Sequence, residues 1–323
     1  MIVQHHRNSH TIETGGKRFK IYLLSDIHWD NPHCDREALH KHLTLAKEEG
    51  AKVAINGDFF CLMQGKYDPR RSKKDIRPEH NKVNYLDAVI EDAVKWFADF
   101  ADTLIFIGYG NHETAIIKNV ETDPLQRFVD LFNYTHKPNI PITVGGYGGW
   151  LTLQFRAATV DKSYKIHYFH GSGGGGPVTR GVIQNQRKMA DVEGADCIWM
   201  GHVHELYAMF QTKATLDARR YPILKDVLHV RTGTYKDEYG DGAFGWHVER
   251  GATSAPERMP PEMISCTLRC IPRSCSAFTA GRMQASVGRP TCSMNTSCVA
   301  AVPPCMPSST TTSAPAFTAS ATS

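Results

Sequence analysis

The sequence has no apolar run approaching the roughly 20 residues that a membrane-spanning helix needs. Its first twenty residues, MIVQHHRNSHTIETGGKRFK, lack the apolar core of a secretory signal, so a cytosolic protein is expected. Neither sign of charge dominates. The formal net charge is +4, but residues 251–323 hold Arg258, Arg269, Arg273, Arg282 and Arg289 against Glu257 and Glu262. That tail accounts for most of the surplus, so overall charge gives no argument for a nucleic-acid partner. Cysteine is scarce up to residue 250, where only Cys34, Cys61 and Cys197 occur, too few for a disulfide framework. Six more lie between Cys266 and Cys305 without a histidine among them, at spacings that fit no zinc pattern. From Met263 onward there is no Asp, Glu or Lys, and apolar periodicity disappears.

What remains is strongly patterned up to residue 250. FKIYLLSD (19–26), AKVAINGD (51–58) and TLIFIGYGNHE (103–113) read as strands running into polar turns. DREALHKHLTLAKEEG (35–50) reads as a helix with Asp35 as N-cap and Gly50 as its stop. NKVNYLDAVIEDAVKWFADF has a helical apolar period, and DPLQRFVDLFNY starts a helix on Pro124. Strands dominate afterwards, in WLTLQF, SYKIHYFHG, DCIWMGHVHE, LYAMFQ and VLHVRTGTY, with one helix near 178–192. The order predicts an α/β fold with two packed mixed sheets and helices outside. The expected division is a domain over 1–250 and a Cys/Ser/Thr/Pro-rich tail over 251–323. The tail is expected to be disordered; its Ala, Arg, Pro, Ser, Thr and Cys bias also suits a GC-rich gene read in another frame.

Chemistry-bearing residues recur where strands stop. SDIHWD, NGDFF, GNHE, FHG and GHVHE together offer Asp26, His28, Asp58, Asn111, His170, His202 and His204. Ligands bind at the carboxyl ends of strands in α/β sheets. Histidines two apart on an extended chain project to one side, so His202 and His204 are expected to share a small volume. The set exceeds what one metal requires. Imidazole and carboxylate suit manganese, iron, zinc or nickel, and two such ions form a hydrolytic pair.

The five blocks, D-x-H, G-D, G-N-H-E, a lone histidine and G-H-x-H, stand in order within residues 26–204. In this the chain resembles the calcineurin-like metallophosphoesterases, its wording nearest the phage-type or bacterial members. The resemblance covers about residues 20–250. It implies two mixed sheets packed as a sandwich flanked by helices. It also implies two divalent ions, manganese favoured. Asp26, His28 and His204 would bind one, Asn111, His170 and His202 the other, with Asp58 bridging. His112 would lie over the phosphate as a catalytic residue, with Asp30 a candidate for the carboxylate that steers it. The implied activity is phosphate-ester hydrolysis by metal-activated hydroxide, a phosphodiesterase or nuclease favoured over a phosphomonoesterase. A catalytically inert scaffold of the same fold should lack ligands, and none is missing.

Three further stretches carry two readings each. HGSGGGGPVTRG (170–181) offers backbone amides to a phosphate, or is a plain loop that lets His170 reach the site. KYDPRRSKKDIRPEH (66–80) carries Lys66, Arg70, Arg71, Lys73, Lys74 and Arg77, as a contact for a polyanion such as nucleic acid or as a solvated loop. RTGTY (231–235) brings Arg231 or Tyr235 near substrate, or merely packs. The histidines outside the blocks are assigned to surface or packing.

Overall fold

Residues 1–15, 18–62, 76–157, 160–174, 176, 178–237, 265–269 and 284–286 are described in the computed structural model. Two mixed β-sheets stack face to face with helices outside, as the strand and helix order predicts. The smaller sheet is built on β3 (Arg18–Leu24), β4 (Lys52–Asn56), β5 (Leu104–Gly108) and β6 (Thr143–Val144), all parallel and adjacent in that order. Parallel neighbours require crossovers, which the sequence supplies as α1 (Arg36–Glu48), α2 (Tyr85–Trp96), α3 (Asn111–Val120) and α4 (Pro124–His136). Alternation sorts their side chains. Ile21 and Leu23 of β3 point into the space between the sheets, whereas Tyr22 and Leu24 point to the helices.

The larger sheet runs β1 (Ile2–His6), β2 (Ser9–Thr14), β7 (Gly148–Ala157), β8 (Val160–Phe169), β9 (Cys197–Met200), β11 (Pro222–Arg231) and β10 (Tyr207–Leu216). Here β8, β9 and β11 are parallel. Ile12, Leu153, Ile166, Trp199 and Val230 meet Ile21, Ala54 and Phe106 across the sandwich. The outer face over β8 and β9 is occupied by α5 (Val182–Asp191), with Ile198 and Met200 buried on that side. Among the described residues no helix is long and apolar enough to cross a membrane.

Several local expectations are met for the reasons given. Asp35 accepts a hydrogen bond from the Ala38 amide at the start of α1, and Asp123 from Gln126 ahead of Pro124. Two elements differ. GNHE is the first turn of α3, not a loop, and MIVQHHRNSHTIET is a hairpin. In the tail expected to lack structure, β12 (Ser265–Arg269) pairs antiparallel with β3, and β13 (Gln284–Ser286) pairs with β12. The rest of the tail lies outside the described residues, as do Lys66, Arg70, Arg71, Lys73 and Lys74.

Candidate metal centre

The carboxyl ends of β3, β4, β5, β8 and β9 open onto one place, and the loops there are stitched together by backbone. The amides of Asp26, His28 and Trp29 donate to the carbonyls of Gly57, Asp58 and Phe59. The Gly201 amide donates to the His170 carbonyl. These bonds extend the ladders past the strand ends and bring together all seven residues read from the five blocks.

Two groups of donors result. In one, His28 Nε2 lies 3.3 Å from His204 Nε2, which is 3.4 Å from Asp26 Oδ1. In the other, Asn111 Oδ1 lies 2.8 Å from His202 Nδ1 and 3.2 Å from His170 Nε2. Asp58 Oδ2 stands between them, 3.2 Å from His170 Nε2 and 3.9 Å from His28 Nε2. With metal–ligand bonds of about 2.0–2.2 Å, neighbouring ligands sit roughly 3–3.5 Å apart. The observed spacings are of that size.

The carboxylates are set alike. Asp58 Oδ1 accepts the His112 amide at 3.0 Å and leaves Oδ2 to the histidines. Asp26 Oδ2 accepts the His202 amide at 2.9 Å and the Ser25 hydroxyl. Asp26 Oδ1 is fully buried and accepts no hydrogen bond. A buried carboxylate oxygen with imidazole nitrogens at 3.4 and 4.0 Å calls for positive charge beside it, from a protonated ring or a cation. Burial opposes ionisation of Asp58, but the surrounding histidines hold its carboxyl well below the ordinary range. Burial, reinforced by His112, pushes His28 well below its ordinary value, so it presents a neutral imidazole. At His170, burial is overcome by Asp58 and Asp26, which raise it to about 10 when no cation is present. Its Nδ1 lies 2.8 Å from the Asn56 carbonyl, which can only accept. Nδ1 therefore carries the hydrogen, and in the neutral ring Nε2 is a bare donor. The residues present fit a pair of divalent cations.

The local backbone is what makes this convergence possible. Asp26, His28, Asp58, His202 and His204 all have φ between 48° and 73°, half of the ten non-glycine residues with positive φ among the described residues. Asp, Asn and His tolerate this region better than other side chains, yet each costs on the order of 1 kcal/mol. The extended-chain premise for GHVHE is thus corrected. β9 ends at Met200, and the bent loop sends His202 to one donor group and His204 to the other. Two glycines are required by close approach. A Cβ on Gly110 would lie 2.0 Å from Asp58 Oδ1, and one on Gly201 would lie 2.6 Å from Asp26 Oδ2.

His112 is buried beside the centre, with Nε2 4.0 Å from Asp58 Oδ2. Its Nδ1 lies 2.6 Å from the Cys61 carbonyl. Asp30, the candidate for the carboxylate that steers His112, is bonded to the neighbouring backbone and to Tyr85. Asp30 Oδ1 accepts the Cys61 amide, and Oδ2 accepts the Leu62 amide and the Tyr85 hydroxyl. RTGTY lies behind the centre. Arg231 is wholly buried and donates to the Gly201 carbonyl at 2.9 Å and Asn185 Oδ1 at 2.6 Å. Thr232 bonds Ser25, and both the Thr234 hydroxyl and the Tyr235 amide donate to the Asp26 carbonyl. In the glycine-rich stretch, Gly171 is the carbonyl partner of Tyr147, and Gly175 and Pro177 lie outside the described residues.

Glu113 was legible in GNHE but carried no role. Its carboxylate accepts the amides of Phe60 and Gly110, both at 2.9 Å, clamping the loop after β4 to the loop after β5. Burial, then Asp58, raises it to about 8.

No family model and no curated protein matches the chain. Among solved structures it is similar to the calcineurin-like phosphoesterase YfkN from Bacillus subtilis. The identity is 13% over 68% of this chain and 82% of that one, with a TM-score of 0.34. It is similar also to GAP50, the anchor in the inner membrane complex of Plasmodium. There the identity is 11% over 68% and 73% of the two chains, with a TM-score of 0.31. Likenesses at this level carry no assignment of activity.

Proposed function

We propose that the chain is a metal-dependent phosphoesterase that hydrolyses a phosphodiester at a two-metal centre. Asp26, His28 and His204 would hold one ion, Asn111, His170 and His202 the other, and Asp58 both. The observation that carries the reading is the place of Asp58 Oδ2, between the two donor groups and within 4 Å of a histidine of each. Bound manganese, iron, zinc or nickel would withdraw charge from phosphoryl oxygens and lower the pKa of a water.

The chain's own part is positioning and proton delivery. His112 Nδ1 must carry a hydrogen to meet the Cys61 carbonyl, so the ring presents Nε2 to the centre. In the imidazolium form Nε2 donates its proton to the oxygen of the departing alcohol. Such acid help contributes roughly 10²- to 10⁴-fold. The basic run from Lys66 to Lys74 favours a diester in a polyanion, nucleic acid among them, over a small monoester; Arg77 is taken up by the carbonyls of Asn31 and Cys34.

The test is an activity panel with manganese: bis-p-nitrophenyl phosphate, p-nitrophenyl phosphate, single- and double-stranded DNA, and cyclic nucleotides. Preference for the diesters is expected. Preference for the monoester would make the chain a phosphatase. No activity, together with less than one transition-metal equivalent after purification, would make it an inert scaffold.

A further inference from the structure

We propose that Asp30 and Tyr85 are positioning residues for His112, acting through the peptide backbone of Cys61 and Leu62 and not by contact with the ring. The inference rests on the reading of His112 as the acid for the leaving group. Asp30 is the carboxylate that the sequence offers for steering His112; the structure supplies its route and adds Tyr85.

The chain of contacts is continuous, buried at Asp30 and part-buried at Tyr85. The Tyr85 hydroxyl, from the first residue of α2, donates to Asp30 Oδ2 at 3.0 Å. The same oxygen accepts the Leu62 amide at 2.9 Å, and Oδ1 accepts the Cys61 amide at 2.5 Å. Asp30 itself is buried. Its carboxylate therefore grips two successive amides and fixes the plane of the peptide between them. That peptide's carbonyl, on Cys61, is the oxygen that receives the His112 Nδ1 hydrogen at 2.6 Å.

Two features show that this peptide would not hold its place unaided. Leu62 has φ of 48°, a region that a γ-branched apolar residue enters only when its surroundings impose it. The Cys61 side chain offers no other strong anchor, since its sulfur accepts one weak bond, from Asn31 at 3.3 Å. The preceding residue is held separately: the Phe60 amide donates to Glu113. Glu113 thus fixes the loop up to residue 60, and Asp30 fixes the two residues beyond it. A carbonyl free to rotate would release the ring. A displacement of about 1 Å at a reacting group can cost on the order of 100-fold in rate.

The consequence is specific to the leaving group. An ester of 2,4-dinitrophenol departs without a proton, whereas an ester of phenol needs one. Weakening the grip should therefore spare the first substrate and slow the second. Asp30→Asn presents one amide donor where an amide already donates, so it breaks one of the two grips. Tyr85→Phe removes a single hydroxyl and guards against the buried Asp30 variant failing to fold.

The experiment measures kcat and KM for both variants over aryl phosphodiesters from 2,4-dinitrophenyl to phenyl, with metal content determined on the same samples. Amide hydrogen exchange is followed at residues 60–62. With Asp30→Asn, kcat for the phenyl ester should fall roughly 10- to 100-fold, against less than about 3-fold for the dinitrophenyl ester. KM and metal content should hold. Tyr85→Phe should shift both in the same sense by less. At least one of the amides of Cys61 and Leu62 should lose protection in Asp30→Asn while that of Phe60 keeps it. Equal loss on every ester, loss of metal, or unchanged protection at residues 61 and 62 overturns the proposal. If the unaltered protein hydrolyses no ester in the series, the functional reading fails instead, and exchange alone decides whether Asp30 grips the turn.

Discussion

His112 and Asp58 sit 4.0 Å apart, yet they should fail differently when altered. The His112 backbone amide donates the hydrogen bond to Asp58 Oδ1, and this survives any change of the side chain. His112→Ala should therefore keep its metal content while turnover falls by at least about 100-fold, the loss of a general acid. Metal lost in parallel would make His112 a ligand. Asp58→Asn keeps the shape of the side chain but removes the charge shared by both donor groups. Fewer than one tightly held ion should remain, by elemental analysis; retention of two would falsify the bridging role. All seven residues that meet at the proposed centre are legible at this scale, because metal chemistry would restrict each position to a few side-chain types. The supports behind them are not. Nothing in the sequence marks Ser25, Thr232 or Thr234 as holding Asp26, since any small hydroxyl elsewhere looks the same. Nor does it reveal that Asp30 reaches His112 through a peptide bond.

Among the elements, those read correctly are the ones whose apolar period is long, such as α1, α2 and β3. The start of α3 was missed because GNHE was read as chemistry, although Glu113 accepting the Gly110 amide is a recognisable helix-start pattern. The β1–β2 hairpin was missed because its outer strand has little to bury. The RTGTY segment, open in the sequence to a substrate role or to packing, packs as a strut. Arg231 joins the end of β11 to α5 and to the carbonyl just before His202. Burial lowers its pKa, but its ordinary value is so high that the guanidinium stays charged. Arg231→Met should leave Asn185 Oδ1 without its donor, while the Gly201 carbonyl keeps only the Val203 amide. The expected cost is roughly 2–4 kcal/mol of stability by denaturant unfolding, with the charged hydrogen bonds lost and one acceptor stranded. A variant as stable as the parent would show that the strut is not needed.

For the molecule as a whole, acid should be damaging well before the carboxylates titrate. His42 of α1 is buried against Tyr235, whose hydroxyl lies 2.8 Å from its Nδ1. Burial, helped by Lys41, lowers His42 from 6.5 to about 4. The unfolded chain therefore takes up this proton more readily than the folded one between those two values. Stability from this group is full above pH 6.5, falls as pH drops through the window, and levels off near pH 4. The span corresponds to at most about 3 kcal/mol, reduced by whatever solvent reaches the ring. Partly buried His167, also lowered to about 4 by burial, adds in the same direction. On the proposed reading, metal would complicate the same window, because protonating the histidines that would hold it would release cations that stabilise the folded state. Unfolding free energy should accordingly be measured from pH 7 to pH 4 in chelator, for the parent and for His42→Gln, which can still bond the Tyr235 hydroxyl but cannot titrate. The variant should show the shallower decline, so that its stability relative to the parent rises as pH falls toward 4. Parallel curves would mean that His42 charges as easily in the folded protein as out of it, and that its burial against Tyr235 is looser than the geometry implies.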